Sequence, residues 1–244
     1  MPLTSDAKQL LSSTIRSLRS RLLTAIHDEA DRRYRLSLPL GQAGLDEAHQ
    51  KRRERIETWL AERIRAAAPK SEDERVAVRA RLLAQAERDA AAALLTRLVL
   101  LRQLEAQGLS KPLVVTGGWS SNGYREFREF APGLTADATE GYATLLQLVF
   151  DELAITMPGV FGGGGPGRLF PIPGSILREV IEALDVPGLH DAWTDGTTLG
   201  WVYQYWNDPE RREVDARLDA QGKLDRADIA AKTQVFTERY MVEW

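Results

Sequence analysis

Leu11, Ile15, Leu18, Leu22 and Ile26 recur at steps of four, three, four and four. That is one apolar stripe at the ~3.6-residue period of an α-helix. Arg16, Arg19, Arg21, Asp28 and Asp31 fall mostly off the stripe, so the pattern predicts a helix with a charged outer face. The run Ser37-Leu38-Pro39-Leu40-Gly41 breaks it. A second helix is predicted with Leu45, Ile56, Leu60 and Ile64 inward and Lys51, Arg52, Arg53 and Arg55 beside or opposite them, ending at Pro69. Ser71 and Glu74 then carry the spacing of a capping box, in which hydroxyl and carboxylate each satisfy a free amide at a helix start. The helix they open meets no Gly or Pro before Gly108, and its alanine run from Ala90 to Ala93 is strongly helix-forming. Leu83, Ala86, Ala90, Ala93, Leu94, Leu98, Leu101 and Leu104 make its predicted buried face. Long helices joined by short connections pack as antiparallel neighbours, so residues 1–109 are expected to form a helical bundle.

From Ser110 the texture changes. Lys111-Pro112-Leu113-Val114-Val115-Thr116 is a short β-branched run ended by Gly117-Gly118, which predicts one small strand. Aromatic residues become frequent at Trp119, Tyr124, Phe127, Phe130 and Tyr142. A helix is predicted from about Glu140 to Leu153, with Leu145, Leu148 and Val149 inward, and a capped helix from Ser175 to Leu184. Between them Phe161-Gly162-Gly163-Gly164-Gly165-Pro166-Gly167 is a loop. Thr198 to Trp206 is an aromatic helix or extended segment. Asp208-Pro209 has the form of a helix start, aspartate capping and proline in the first turn, with further starts at Asp225 and Thr237. Residues 110–224 thus read as an aromatic-rich helical region with a glycine-rich loop, and 225–244 as a separate closing segment.

Composition narrows the chemistry. The 244 residues are 43% apolar and 27% charged, ordinary for a globular chain. There is no cysteine, which excludes disulfides, a zinc ribbon, an iron–sulfur site and a cysteine nucleophile. His27, His49 and His190 are too scattered for a local histidine metal site. No apolar stretch approaches ~18 residues and no charged-then-apolar leader is present, so the expectation is a soluble cytoplasmic chain without membrane contact. The net charge of −3 hides an asymmetry: up to Pro112 there are 21 Lys+Arg against 15 Asp+Glu, and beyond it 11 against 20. The first half is therefore the basic one.

Most local motifs have a plain reading. The glycine run has no GK[ST] after it and no convincing strand before it, so it is a surface turn rather than a phosphate loop. Asp151 beside Glu152, and Asp215 four residues before Asp219, read as solvated faces rather than acid–base pairs. No G-x-S-x-G elbow occurs. Two features stay open. Lys51, Arg52, Arg53 and Arg55 are candidate contacts to nucleic-acid phosphates, or else a helix face laced by pairs such as Glu47 with Lys51 and Arg53 with Glu57. Trp201-Val202-Tyr203-Gln204-Tyr205-Trp206 is a base-stacking platform or, more commonly for such density, core.

Two stretches are more specific. Leu199-Gly200-Trp201-Val202-Tyr203-Gln204-Tyr205-Trp206, and Ile229 through Lys232-Thr233-Gln234-Val235-Phe236-Thr237-Glu238-Arg239-Tyr240-Met241-Val242-Glu243-Trp244, stand in this order with a charged helical linker between them. Together they resemble the region just ahead of the catalytic core in large adenine-specific DNA methyltransferases. The similarity is to phage-defence enzymes of the bacteriophage-exclusion, phage-growth-limitation and DISARM type, and to type IIG restriction–modification fusions. Tyr124-Arg125-Glu126-Phe127 and Thr139-Glu140-Gly141-Tyr142 also resemble that group, so the likeness spans Trp119 to Trp244.

The resemblance implies a mainly α fold: a helical bundle with long helices, then a mixed helix and loop region, ending at the entrance to an α/β methyltransferase core that lies outside these residues. It implies S-adenosylmethionine as cofactor, with Gln234, Phe236, Thr237 and Tyr240 at the positions of the family's motif X beside the cofactor pocket. It implies DNA, a downstream methyltransferase domain or partner subunit, and other defence-system proteins as partners. Family members often have proline after the threonine, where this chain has Glu238. The family also requires a glycine-rich cofactor turn and an Asn/Asp-Pro-Pro-Tyr/Phe target-base site, and neither occurs in this sequence. The expected role is therefore to brace a catalytic core without transferring methyl groups alone, and no catalytic residue is assigned. A stand-alone helical module that binds protein or nucleic acid is the alternative.

Overall fold

The computed structural model describes residues 3–163 and 166–221. Among them the chain forms α-helices and short 3₁₀ turns, with no strand. Helix α1 spans Ser5–Tyr34 and α2 spans Glu47–Ala67. Helix α3, Glu72–Ala106, is 35 residues long, which at 1.5 Å per residue makes a rod of about 50 Å. The remainder comprises α4 (Asn122–Phe130), α5 (Tyr142–Thr156), α6 (Pro158–Phe161), α7 (Gly174–Leu184) and α8 (Thr198–Gln221), of which α6, α7 and α8 lie against α3.

Local chemistry explains the ends of the long helices. The Thr4 hydroxyl accepts the Ala7 amide at the start of α1, and Asp46 accepts the His49 amide at the start of α2. At α3 the Ser71 hydroxyl accepts the Glu74 amide, while the Glu74 carboxylate reaches back to the Lys70 amide, one residue beyond the usual box. The α1 stripe is buried as predicted, and Ala30 and Tyr34 extend it. Leu45 stands before α2 rather than on it.

Helix α3 buries more than the one face its leucines predict. Ala86, Ala90, Leu98 and Leu101 are buried, but so are Glu87, Ala91, Leu95, Val99, Arg102, Gln103 and Glu105. The reason is its position: α1, α2, α7, α8 and the turns Pro166–Leu169 and Asp191–Thr194 all lie against it. One buried cluster runs from Leu11 on α1 to Trp206 on α8, taking residues from both sides of position 109. Small residues make the closest approach possible. A Cβ on Gly167 would stand 3.0 Å from the Ala90 Cα, so the turn Pro166–Leu169 rests directly on the helix backbone.

Three sequence expectations are corrected. The run Leu113–Thr116 is not a strand, because its amides find a carboxylate instead of a ladder partner. Glu105, 5% exposed, accepts from Val114 N at 2.7 Å, Val115 N at 2.8 Å, and Thr116 N and Oγ1 at 2.7 and 2.6 Å. Backbone donors must be satisfied when buried, and with no second strand available the loop wraps this one side chain. Asp208-Pro209 does not start a helix but lies inside α8. Proline removes the amide that would bond the Tyr205 carbonyl. Tertiary contacts carry the helix through: Asp208 pairs with Arg16 and Glu210 with Arg19, both on α1. Likewise α7 begins at Gly174 after Pro173, without the side-chain cap expected at Ser175.

Candidate nucleic-acid interface

The four basic residues singled out on α2 separate into two classes. Lys51, Arg52 and Arg55 are exposed, whereas Arg53 is 1% exposed. Arg53 donates to the carbonyls of Tyr34 and Arg35 at 2.6 Å each, to that of Leu38 at 2.9 Å, and to Glu57 at 2.8 Å. It is spent on the end of α1 and leaves the basic face. Both i,i+4 pairs expected here form: Lys51 with Glu47 at 2.6 Å, and Arg53 with Glu57. The Lys51–Glu47 pair is solvent-exposed and contributes little stability.

Tertiary structure adds a cation that the basic run did not include. The Arg52 guanidinium donates to the Arg168 carbonyl at 3.1 Å, which brings α2 against the turn after the glycine run. Arg52, Arg55, Gln147, Asp151, Arg168 and Leu169 line a cleft of about 530 Å³. The Arg168 guanidinium lies across Gly163, where an added Cβ would fall 1.7 Å from its Cζ. Any side chain at 163 would displace it. The glycine run is thus a surface turn, and one of its glycines seats an arginine. Sequence reading missed Arg168, although an arginine directly after a glycine run, in a chain with a separate basic helix, was the available signal.

Arg97 of α3 stands behind this cleft. It donates to the carbonyls of Val160 at 2.9 Å and Gly162 at 3.2 Å. Burial holds its pKa below the ordinary guanidinium value, the nearby charge of Arg168 pushes the same way, and Asp151 opposes both. Among the described residues Arg55, Arg97 and Arg168 form no ion pair. The face they share with Arg52 is a positive one tempered by Asp151.

The other segments of interest resolve differently. On α8, Val202, Tyr205 and Trp206 are buried, and Trp201 stacks on Tyr205 at 5.8 Å. Lys8 lies over the Trp201 ring, Arg16 over Tyr205 and Arg19 over Trp206, in the same order along both helices. This stretch is mostly core, and the cations of α1 cover its rings. Its outer side borders a groove of about 910 Å³ against α3, lined in part by Leu199, Gly200 and Tyr203.

Tyr124-Arg125-Glu126-Phe127 and Thr139-Glu140-Gly141-Tyr142 come together. The Tyr124 hydroxyl donates to the Glu140 carbonyl at 2.9 Å, and Trp119 stacks on Tyr142 at 3.8 Å and 12°. Arg178 lies 4.0 Å above Trp119 and bonds Glu140 at 3.1 Å. Asp137 accepts from the amides of Gly141 and Thr139 and from the Thr139 hydroxyl. These bonds, the Gly141 amide first, hold its carboxyl below the ordinary range against some desolvation.

Gln234, Phe236, Thr237 and Tyr240 lie outside the described residues, as do the helix starts at Asp225 and Thr237. Asp151, Glu152, Asp215 and Asp219 are exposed, in keeping with solvated faces. Among the described residues no group of three or more His, Asp or Glu side chains is placed to hold a metal ion. No helix there is long and apolar enough to cross a membrane. Compared with known proteins, the chain matches no family model, no curated protein and no solved structure.

Proposed function

We propose that this chain is the N-terminal helical part of an S-adenosylmethionine-dependent, adenine-specific DNA methyltransferase of a phage-defence or restriction–modification system. The observation that carries the reading is the ordered pair of stretches Leu199–Trp206 and 229–244, the second resembling motif X with Gln234, Phe236, Thr237 and Tyr240 toward the cofactor. Two structural features support it. The first stretch lies on a helix rooted to α1 through Asp208 and Glu210, a firm base for an adjoining catalytic domain. Its outer side faces the groove against α3, where such a domain has a surface to rest on.

On this reading the chain braces the catalytic domain and offers Lys51, Arg52, Arg55 and Arg168 to DNA phosphates. The adenine amino nitrogen attacks the sulfonium methyl of the cofactor, a step governed by positioning and electrostatics. The cofactor turn and target-base residues belong to a further domain or a partner subunit, since neither motif occurs in this sequence.

The test is to map N6-methyladenine across the host genome before and after deletion of the gene. Loss of methylation at one defined DNA motif, restored by the gene, supports the proposal. Unchanged methylation at every motif overturns it and leaves a helical interaction module.

A further inference from the structure

A chamber of about 500 Å³ opens between α3, α5 and the turn Pro166–Leu169. Leu94, Leu146, Phe150, Phe170, Ile172 and Leu177 give it apolar walls. Gln147 and Arg168 line both this chamber and the arginine cleft, so the two adjoin across these side chains. The volume falls within the range of small-molecule sites, which are mostly apolar with a few placed polar groups.

The charges decide the ligand class. Arg52, Arg55 and Arg168 stand in the cleft, and Arg97 lines the chamber. Two carboxylates are also present, each accepting from a neutral glutamine amide, Asp89 from Gln85 at 2.7 Å and Asp151 from Gln147 at 2.6 Å, so both keep their charge and the arginines outnumber them. Arg55 and Arg168 have no carboxylate partner among the described residues, and Arg52 bonds the Arg168 carbonyl. Three arginines lining one cleft suit a doubly charged phosphate, which accepts multiple charge-assisted hydrogen bonds.

We infer that the chamber and cleft together bind a phosphate monoester with an apolar, ring-sized body, the ring among Leu94, Phe150 and Phe170 and the phosphate at Arg168, Arg52 and Arg55. These are the arginines that the proposed function offers to DNA phosphates, so DNA and the small ester would compete for one cleft. The apolar chamber and its titration need no methyltransferase domain, so failure of that reading leaves this one to be tested by itself.

Calorimetric titration of the full chain tests it with 1-naphthyl phosphate, adenosine 5′-monophosphate, inorganic phosphate and 1-naphthol. The expected result is that at least one ester binds tenfold or more tightly than both inorganic phosphate and naphthol. Arg168→Glu, an exposed position, lowers that affinity at least tenfold. Ala93→Phe, which fills the chamber, weakens the ester but leaves inorganic phosphate binding unchanged. Arg55→Glu repeats the charge test on a second helix, so misfolding of one variant leaves the question decidable. Preference for the adenosine ester assigns the natural ligand to nucleotides, and preference for the naphthyl ester to other aromatic phosphates; both support the inference. Esters no tighter than inorganic phosphate, or no tighter than naphthol, overturn it.

Discussion

Arg53 of α2 donates from Nη1 to the carbonyl of Tyr34, the last residue of α1, at 2.6 Å. Helix C-termini leave carbonyls unpaired at the negative end of the dipole, and a buried guanidinium satisfies several at once. Arg53→Ala removes the donor to the Tyr34 and Leu38 carbonyls and leaves Glu57 with Arg79 and the Arg35 carbonyl with the Leu38 amide, with an expected loss of about 3 kcal/mol in urea unfolding. Arg53→Lys recovers only part, since an ammonium lacks the planar fork that reaches three carbonyls. Arg52→Ala, at an exposed position, stays within about 0.5 kcal/mol. Equal losses at 52 and 53 would contradict this assignment.

Glu105→Ala removes the acceptor for three backbone amides and one hydroxyl around Val114–Thr116. The expected cost is about 3 kcal/mol, with hydrogen exchange accelerated at those amides first. Glu105→Gln retains some acceptors and falls between. Unchanged amide protection in Glu105→Ala would show that the loop is held by something else.

Alkaline pH should weaken the fold through its tyrosines. Burial pushes the phenol of Tyr142 far above the ordinary tyrosine range, with Glu105 and Asp185 adding to it. Burial also raises Tyr124 and Tyr34. The native state keeps protons that the unfolded chain releases above about pH 10. The stability these groups give is therefore full below that value and lost as pH climbs past it. Tyr142→Phe forfeits the hydroxyl bond to the Val114 carbonyl at 2.8 Å but should fall less steeply above pH 10. Parallel stability curves for the two proteins would refute this.

If the chain meets DNA as proposed, binding measured by fluorescence anisotropy on a duplex should depend on Arg52, Arg55 and Arg168 together, and no binding to any duplex would refute that part of the proposal. Charge reversal at all three is expected to weaken binding at least tenfold at low salt. Because each neutralised phosphate adds about 0.9 to the log–log salt slope, that slope should drop by about 2 to 3. Arg53→Lys should leave the slope as it was.

Gly163→Ala should act at a distance of five residues. Its Cβ would collide with the Arg168 guanidinium, so the expected effect is weaker DNA binding with little change in melting temperature. Gly167→Val pushes instead on the α3 backbone beside Ala90 and should cost about 1–3 kcal/mol of stability.

Some of this was legible in the chain. The α1 stripe from Leu11 to Ile26 and the cap at Ser71 depend only on neighbours within a turn or two, and both stand in the structure. The same local logic failed at Asp208-Pro209. Asp208 has the chemistry of a cap, yet its carboxylate is held by Arg16, 192 residues earlier. It failed at Val114-Val115 too, where β-branched residues suggest a strand but the partner is the side chain of Glu105. In the basic run, Arg52 and Arg53 are adjacent and chemically identical. A 100° step around α2 turns one to solvent and the other into the end of α1.

Periodicity and capping alone determined that this protein is helical and roughly where its first three long helices begin and end, because those signals are carried by residues a few positions apart. Only the tertiary structure decided which charges are spent inside and which remain to bind. Arg53 closes a helix, Glu105 folds a loop, and Arg168 joins Arg52 and Arg55 across more than a hundred residues. A side chain's role is set by the groups that surround it, and those groups come from distant parts of the chain.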